Sequence, residues 1–352
     1  MTDPVRDAVI VASPTDERRR IAGVPLLVRT ALVLQRAGIE RLFVDGPVTP
    51  PVDARIRVPV FAGPPADGAP RIVVGAGTVV DETIVRELVR SRAPGYERDG
   101  ARITFEPSAA ARLIAPPVGV LLPASRPDAT IERSLLAGLE NPRDGYLDRL
   151  IHRRLSPPLT RRLLATSLTP NQVTIAGVAL GIAGGLLVGA PSVAGVLAGI
   201  SLLLVSGVLD CVDGEMARMR FAESAIGHTL DVVGDTLVHA ALLAGIALRL
   251  AHETAWPGTG TLVLLAVGVV GAFVTITWSE RNEARRHRVR GAWENRVLDG
   301  VLSPLSTRDW YVFPIAFALA GRLDVLVPAA AWGAQAFWVV VALLVWRVLR
   351  RA

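Results

Sequence analysis

Residues 209–237, LDCVDGEMARMRFAESAIGHTLDVVGDTL, carry four aspartates at two helical spacings: Asp210 and Asp213 at i, i+3, and Asp231 and Asp235 at i, i+4. On two helices, each pair points to one face. The text on either side is apolar, so both pairs lie at membrane depth or near its inner edge. An Asp at the centre of a spanning helix costs roughly 2.5 to 3.5 kcal/mol, and four uncompensated ones cost on the order of 10 kcal/mol. Something cationic must compensate. Lysine is absent from the chain, and Arg218 alone cannot neutralise four carboxylates. Hard divalent cations with oxygen ligands can, and two Mg²⁺ or Mn²⁺ ions bridged by shared carboxylates fit four aspartates. Such ions normally accompany a phosphate substrate. Gly214 and Gly227 let a ligand approach the backbone where a Cβ would clash, and Ala217 keeps the same face open.

The elements that must position these residues are long apolar stretches. Hydrophobic residues make up 51% of the 352 and charged residues 20%, which excludes a disordered chain and fits an ordinary soluble enzyme poorly. Six stretches read as spans: Val173 to Ala190, Ser192 to Leu209, Ile226 to Leu250, Thr261 to Trp278, the short Trp310 to Ala320, and Val325 to Trp346. All 38 basic residues are Arg, with a net charge of +6. If the spans alternate, Arg153 to Arg162, Arg218 and Arg220, Arg281 to Arg308 and Arg347 to Arg351 share one side, while the opposite loops hold only Arg249 and Arg322. The positive-inside rule puts that side, with both termini, in the cytoplasm of an inner (cytoplasmic) membrane protein. Membrane lipid, not nucleic acid, is the partner this charge implies. Ahead of the spans, Tyr146 to Thr169 interleaves Arg with Leu as an amphipathic surface segment, which Pro157-Pro158 should break in two.

From residue 1 to 140, short Val/Ile/Leu runs (Ala8 to Ala12, Arg41 to Val44, Ile72 to Val74) alternate with helical text (Leu26 to Ala37, Asp81 to Arg92), which predicts a cytoplasmic α/β domain with a largely parallel, Rossmann-like sheet. Residues 141–172 then form a linker with the amphipathic segment, and residues 173–352 the membrane domain. The charged start, Met1 to Ile10, does not read as a cleaved signal peptide. Cys211, the one cysteine, admits no intrachain disulfide and reads as a packing residue.

The motif D-x-x-D-G-x-x-A-R-x8-G-x-x-x-D-x-x-x-D, met at Asp210, Asp213, Gly214, Ala217, Arg218, Gly227, Asp231 and Asp235, resembles the signature of the CDP-alcohol phosphotransferases, six-span membrane enzymes. Thr169-Pro170-Asn171-Gln172-Val173-Thr174 resembles that family's T-P-N-x-x-T segment. The resemblance implies transfer of a substituted phosphoryl group from a CDP-alcohol to an acceptor alcohol or phosphorylated polyol, releasing CMP. It implies that Asp210, Asp213 and Asp231 hold the metals, and that Asp235 lies near the second ion and acts as general base. It further implies that Gly214, Ala217, Arg218, Gly227, Pro170, Asn171 and Thr174 contact the nucleotide, and that the protein is a homodimer. Either CDP-diacylglycerol or a CDP-inositol type of donor fits. Rival readings are a structural ion-pair network, a cation pathway, or an idle scaffold.

The amino-terminal text, with Gly23-Val24-Pro25-Leu26-Leu27 after the first strand, resembles the opening of sugar-phosphate-class nucleotidyltransferases. It departs from them: the loop Ser13-Pro14-Thr15-Asp16-Glu17-Arg18-Arg19-Arg20 lacks glycine, and Val24 stands where that family has Lys. The domain therefore reads as an inactive relative. Fusions of a working cytidylyltransferase with the membrane domain make their own CDP-alcohol, and such bifunctionality is the alternative here. If the acceptor carries phosphate, Arg308 is the candidate to bind it, as a guanidinium pairs bidentately with phosphate. His228 and His239 read as hydrogen-bonded interior side chains, and Trp310, Tyr311, Trp332, Trp338 and Trp346 as anchors and packing.

Overall fold

The computed structural model describes residues 5–65, 69–106, 113–139, 148–252, 258–289, 293–298 and 312–352. The chain divides into two units interleaved in sequence: Met1–Glu140 with Pro157–Leu168 and Glu215–Glu223, and Asn141–Ser156 with Thr169–Gly214 and Ser224–Ala352.

The first unit runs β1 (Asp7–Val11), α1 (Pro14–Arg18), β2 (Arg20–Ile21), β3 (Val24–Pro25), α2 (Leu26–Arg36), β4 (Arg41–Asp45), β5 (Val60–Ala62), β6 (Arg71–Val74), β7 (Thr78–Val80), α3 (Glu82–Ser91), β8 (Gly95–Arg98), β9 (Ala101–Glu106), β10 (Leu121–Pro123) and α4 (Asp128–Ala137). Six strands form a sheet in the order β5-β4-β1-β6-β9-β8. The four from β5 to β6 are parallel, as short apolar runs separated by helices require. β9 and β8 join antiparallel, a departure from the largely parallel expectation at that edge. The cause is legible in Asp99-Gly100, both left-handed at φ +52° and +85°. Such a pair makes a tight hairpin whose twist matches the strands, so the chain folds back instead of crossing over. Ala8, Ile10, Leu34, Leu42, Ile72 and Ile103 are buried in the core between sheet and helices.

A π-helical turn at Asp148–His152 leads into α5 (Arg153–Leu164), which continues through Pro157 and Pro158. The expected break is absent. Pro157 and Pro158 are the fifth and sixth residues of α5, so each forfeits one ladder bond, and the helix continues across that loss. The boundary between the units nevertheless falls at Ser156 and Pro157.

Then come α6 (Pro170–Val188), α7 (Val193–Arg220), α8 (Ala225–His252), α9 (Thr259–Arg281), α10 (Glu283–Arg286), α11 (293–298), α12 (Val312–Leu319) and α13 (Leu323–Leu349). Among the described residues five helices, α6 to α9 and α13, are long and apolar enough to cross a membrane. Of the expected fifth span, Trp310 to Ala320, the described helical part is α12, whose eight residues rise about 12 Å, well short of a hydrocarbon core of about 30 Å. Side chains such as Phe273 and Trp332 stand exposed on α9 and α13, as lipid-facing residues do. Trp338 packs instead against α9 at Gly271 and donates to Gln335 Oε1 at 2.9 Å.

Candidate active site

α6 begins earlier than its apolar text because Thr169 and Gln172 form a reciprocal cap: Gln172 N donates to Thr169 Oγ1 at 3.3 Å and Thr169 N to Gln172 Oε1 at 2.9 Å. Pro170 takes the first helical position, where no N–H is needed. α6 is rich in small residues, and two glycines set its neighbours. A Cβ on Gly184 would meet Gly199 O of α7 at 2.8 Å, and one on Gly185 would meet Leu242 N of α8 at 2.6 Å. Backbones therefore approach as closely as small-residue membrane interfaces allow. α7 and α8 have 28 residues each, about 42 Å, and are joined by a short link. Asp210 and Asp213 lie near the end of α7, and Asp231 and Asp235 near the start of α8, so chain direction puts both pairs at the same end of the hairpin.

The four aspartates converge. Together with Thr174, Gly177, Val178, Ser206 and Val238 they line one cavity of ≈ 10 Å³, the room of a single water or ion. Carboxylate oxygens of Asp210, Asp231 and Asp235 lie within 4.8 Å of one another. Asp213 is buried, and its Oδ2 has no hydrogen-bond partner among the described residues. A buried carboxylate oxygen left without a donor calls for a cation. Three oxygen donors in mutual reach plus that orphan fit a hard divalent ion.

The other expected site residues divide. Thr174 lines the cavity, with its hydroxyl donating to Pro170 O at 3.2 Å. Asn171 reaches Gly227, where a Cβ would lie 3.1 Å from Asn171 Oδ1, so glycine there admits the T-P-N segment. Gly214 and Ala217 lie on α7, partly buried. Arg218 belongs to the first unit, where it lines a separate cavity of ≈ 550 Å³ with Arg29, Arg36, Arg86, Arg90 and Phe221, and its buried Nε has no hydrogen-bond partner among the described residues. Arg308 lies outside the described residues, as do Trp310 and Tyr311. His228 is exposed, not interior, because it falls on an outward face in the first turn of α8. Neither His228 nor His239 lines the aspartate cavity. Cys211 is buried. Ser206 and Gly177 escaped the sequence reading. Ser206 stands one turn before Asp210 and Gly177 three residues after Thr174, so the same helical spacing marks them.

In the first unit, the glycine-free loop folds into α1, and the Asp16 carboxylate occupies its mouth. Oδ2 of Asp16 accepts from Ser13 N at 2.9 Å, Ser13 Oγ at 2.9 Å and Gly77 N at 3.1 Å.

Comparison with known proteins bears on the second unit. A family model described as CDP-alcohol phosphatidyltransferase matches residues 167–350. The bifunctional IPC transferase and DIPP synthase of Thermococcus kodakarensis is 37% identical over 124 residues, 35% of this chain and 27% of that protein. The phosphatidylinositol phosphate synthase of Mycobacterium tuberculosis is 32% identical over 101 residues, 29% of this chain and 46% of its own. The inner membrane protein YnjF of Escherichia coli is 31% identical over 131 residues, 36% of this chain and 61% of that one. The chain thus spans less than half the length of the first two. The family match takes in just over half of this chain and every aspartate of the cavity, and with it the chain belongs to the CDP-alcohol phosphatidyltransferase family.

Proposed function

We propose that the protein transfers a substituted phosphoryl group from a CDP-alcohol, of the CDP-diacylglycerol or CDP-inositol type, to an acceptor alcohol and releases CMP. The observation that carries this reading is the convergence of Asp210, Asp231 and Asp235 beside the orphaned Asp213 oxygen, in a family whose members are named for this chemistry. Asp210, Asp213, Asp231 and Asp235 would hold Mg²⁺ or Mn²⁺. When bound, a divalent ion among these carboxylates supplies positive charge against the pyrophosphate and the departing CMP.

The chain's own residues do the rest. Asp235 takes the proton from the acceptor hydroxyl. The acceptor oxygen bonds to the phosphorus that carries the alcohol, the bond from that phosphorus to the bridging oxygen breaks, and CMP leaves with the electron pair. Gly214, Ala217 and Gly227, with Pro170, Asn171 and Thr174, orient the nucleotide. The cavity between the aspartates has room for an ion and not for a nucleotide, so substrate binds at its mouth. The name of the mycobacterial relative, phosphatidylinositol phosphate synthase, favours an inositol phosphate as acceptor. The Arg distribution supports a cytoplasmic site and cytoplasmic termini, and the family resemblance supports a homodimer.

The first unit is proposed to be inactive as a nucleotidyltransferase. The Ser13 and Gly77 amides, which could cradle a phosphate, already serve the Asp16 carboxylate, and a second anion there would be repelled. Purified protein in nanodiscs offered CTP, CDP-diacylglycerol, CDP-inositol and inositol 1-phosphate with Mg²⁺ tests the whole reading by mass spectrometry. Expected are CMP and one phosphodiester, both requiring acceptor and metal, with no consumption of CTP. Absence of CMP with every pair of substrates overturns the transferase reading, and CTP turnover overturns the inactive first unit.

A further inference from the structure

α7 ends in a Schellman turn. Ala222 N donates to Ala217 O at 2.8 Å, Phe221 N donates to Arg218 O at 3.3 Å, and Phe221 itself sits at φ +53°. That left-handed position is ordinarily glycine's. Backbone ease does not select phenylalanine there, so its side chain must. Within the first unit the ring is buried and belongs to the hydrophobic core around α2. The guanidinium carbons of Arg29 and Arg36 lie over it, 5.1 and 4.5 Å from its centroid.

Three further contacts fix the backbone and charge on either side. Nη1 and Nη2 of Arg29 both donate to Met219 O at 3.2 Å. Arg55, oriented by Asp53 at 2.6 Å, donates from Nη1 to Arg220 O at 2.6 Å. Arg36 pairs with Glu223 at 2.7 Å. The last carbonyls of a helix lack intrahelical partners and carry its negative dipole end, so two guanidinium groups are the donors best suited to them. The segment from Met219 to Glu223 begins six residues after Asp213 and ends eight before Asp231.

We propose that Arg29, Arg36 and Arg55 are positioning residues for the reaction. By gripping this segment around Phe221 they fix the link between the two aspartate pairs, and so how far the ends of α7 and α8 can splay. The first unit thereby has a role that requires no nucleotide turnover of its own. The inference rests on reading the four aspartates as the metal-holding site.

The test uses full-length protein in nanodiscs with Mn²⁺ as probe. It compares the parent with Phe221→Leu, Phe221→Tyr, Arg36→Met, Arg55→Ala and, as the site control, Asp235→Asn. Amide exchange is followed over 215–223 and over the sheet, and the Mn²⁺ dissociation constant is read by electron paramagnetic resonance. Phe221→Leu and Arg55→Ala should speed exchange over 215–223 about tenfold while strands β1, β4 and β6 keep their protection. The same two variants should weaken Mn²⁺ binding about tenfold, as lost supporting contacts do at metal sites. Phe221→Tyr, which keeps an aromatic face, should restore both. Arg36→Met keeps the packing while losing the charge, and should loosen the segment even if another variant disturbs the sheet. Unchanged exchange over 215–223, or faster exchange with unchanged Mn²⁺ affinity, overturns the proposal. Failure of the catalytic reading shows differently: the parent then binds Mn²⁺ no better than Asp235→Asn.

Discussion

Asp235→Asn removes one charge and the proton acceptor while keeping the side chain's size, so CMP release should fall about a thousandfold, measured as single-turnover product formation. Asp213→Asn should instead act through the ion. With its buried Oδ2 lacking a donor among the described residues, the loss of its charge should weaken Mn²⁺ binding about tenfold, read by titration. The four aspartates were legible because two helical spacings put each pair on one face, and the structure brings all four to one cavity. The placement of Arg218 was not legible. Its neighbours Arg29 and Arg86 lie more than 130 positions earlier in the chain, and spacing on its own helix carries no information about them. Ser206 was available from its i−4 relation to Asp210 and was overlooked because a hydroxyl on an apolar helix draws no attention by type.

At the scale of elements, close packing of α6 on α8 should tolerate no branched side chain at Gly185. Gly185→Val places atoms against the backbone of Leu242 and should lower the unfolding temperature in detergent, with a penalty of about 1–3 kcal/mol or more. α3 offers a pH-dependent counterpart. Asp81 caps it, accepting from Ile84 N at 3.0 Å, while burial pushes its carboxyl above the ordinary value of 3.8. A raised folded pKa means that the ionised form costs stability above that pKa, and that the cost is gone below about 3.8. Asp81→Asn, which can still accept the amide, should therefore match or exceed the parent's thermal stability near pH 7 and lose that advantage in acid. Asp81→Ala, which loses the cap, should cost about 1 kcal/mol in acid and less than that near pH 7, where the parent bears the cost of its ionised carboxylate. Five of the six expected apolar spans were legible from length and composition. The continuity of α5 through Pro157-Pro158 was not, because contacts on this helix, such as Thr160 Oγ1 to Glu215 Oε2 at 2.6 Å, come from far along the chain and leave no mark in the local text. The β8–β9 hairpin had a signal, Asp99-Gly100, that a reading for βαβ units passes over.

For the whole molecule, the Arg asymmetry predicts which loops face out. In a Cys211→Ser background, Gly258→Cys should react with a membrane-impermeant maleimide in intact spheroplasts, while Asp99→Cys should react only after lysis; the reverse pattern would refute the orientation. The longest stretch of the first unit ends at Glu140. That Pro157–Leu168 and Glu215–Glu223 fold back into the first unit was not legible, since the contacts responsible, such as Arg29 to Met219, join residues far apart in sequence. Beneath both units lies the claim that four carboxylates at the end of the α7–α8 hairpin share divalent cations, and an anomalous difference map from crystals soaked in Mn²⁺ tests it most directly. A peak about 2.0–2.3 Å from oxygens of Asp210, Asp231 and Asp235 is the predicted result; a map with no peak among these side chains at millimolar Mn²⁺ would contradict it.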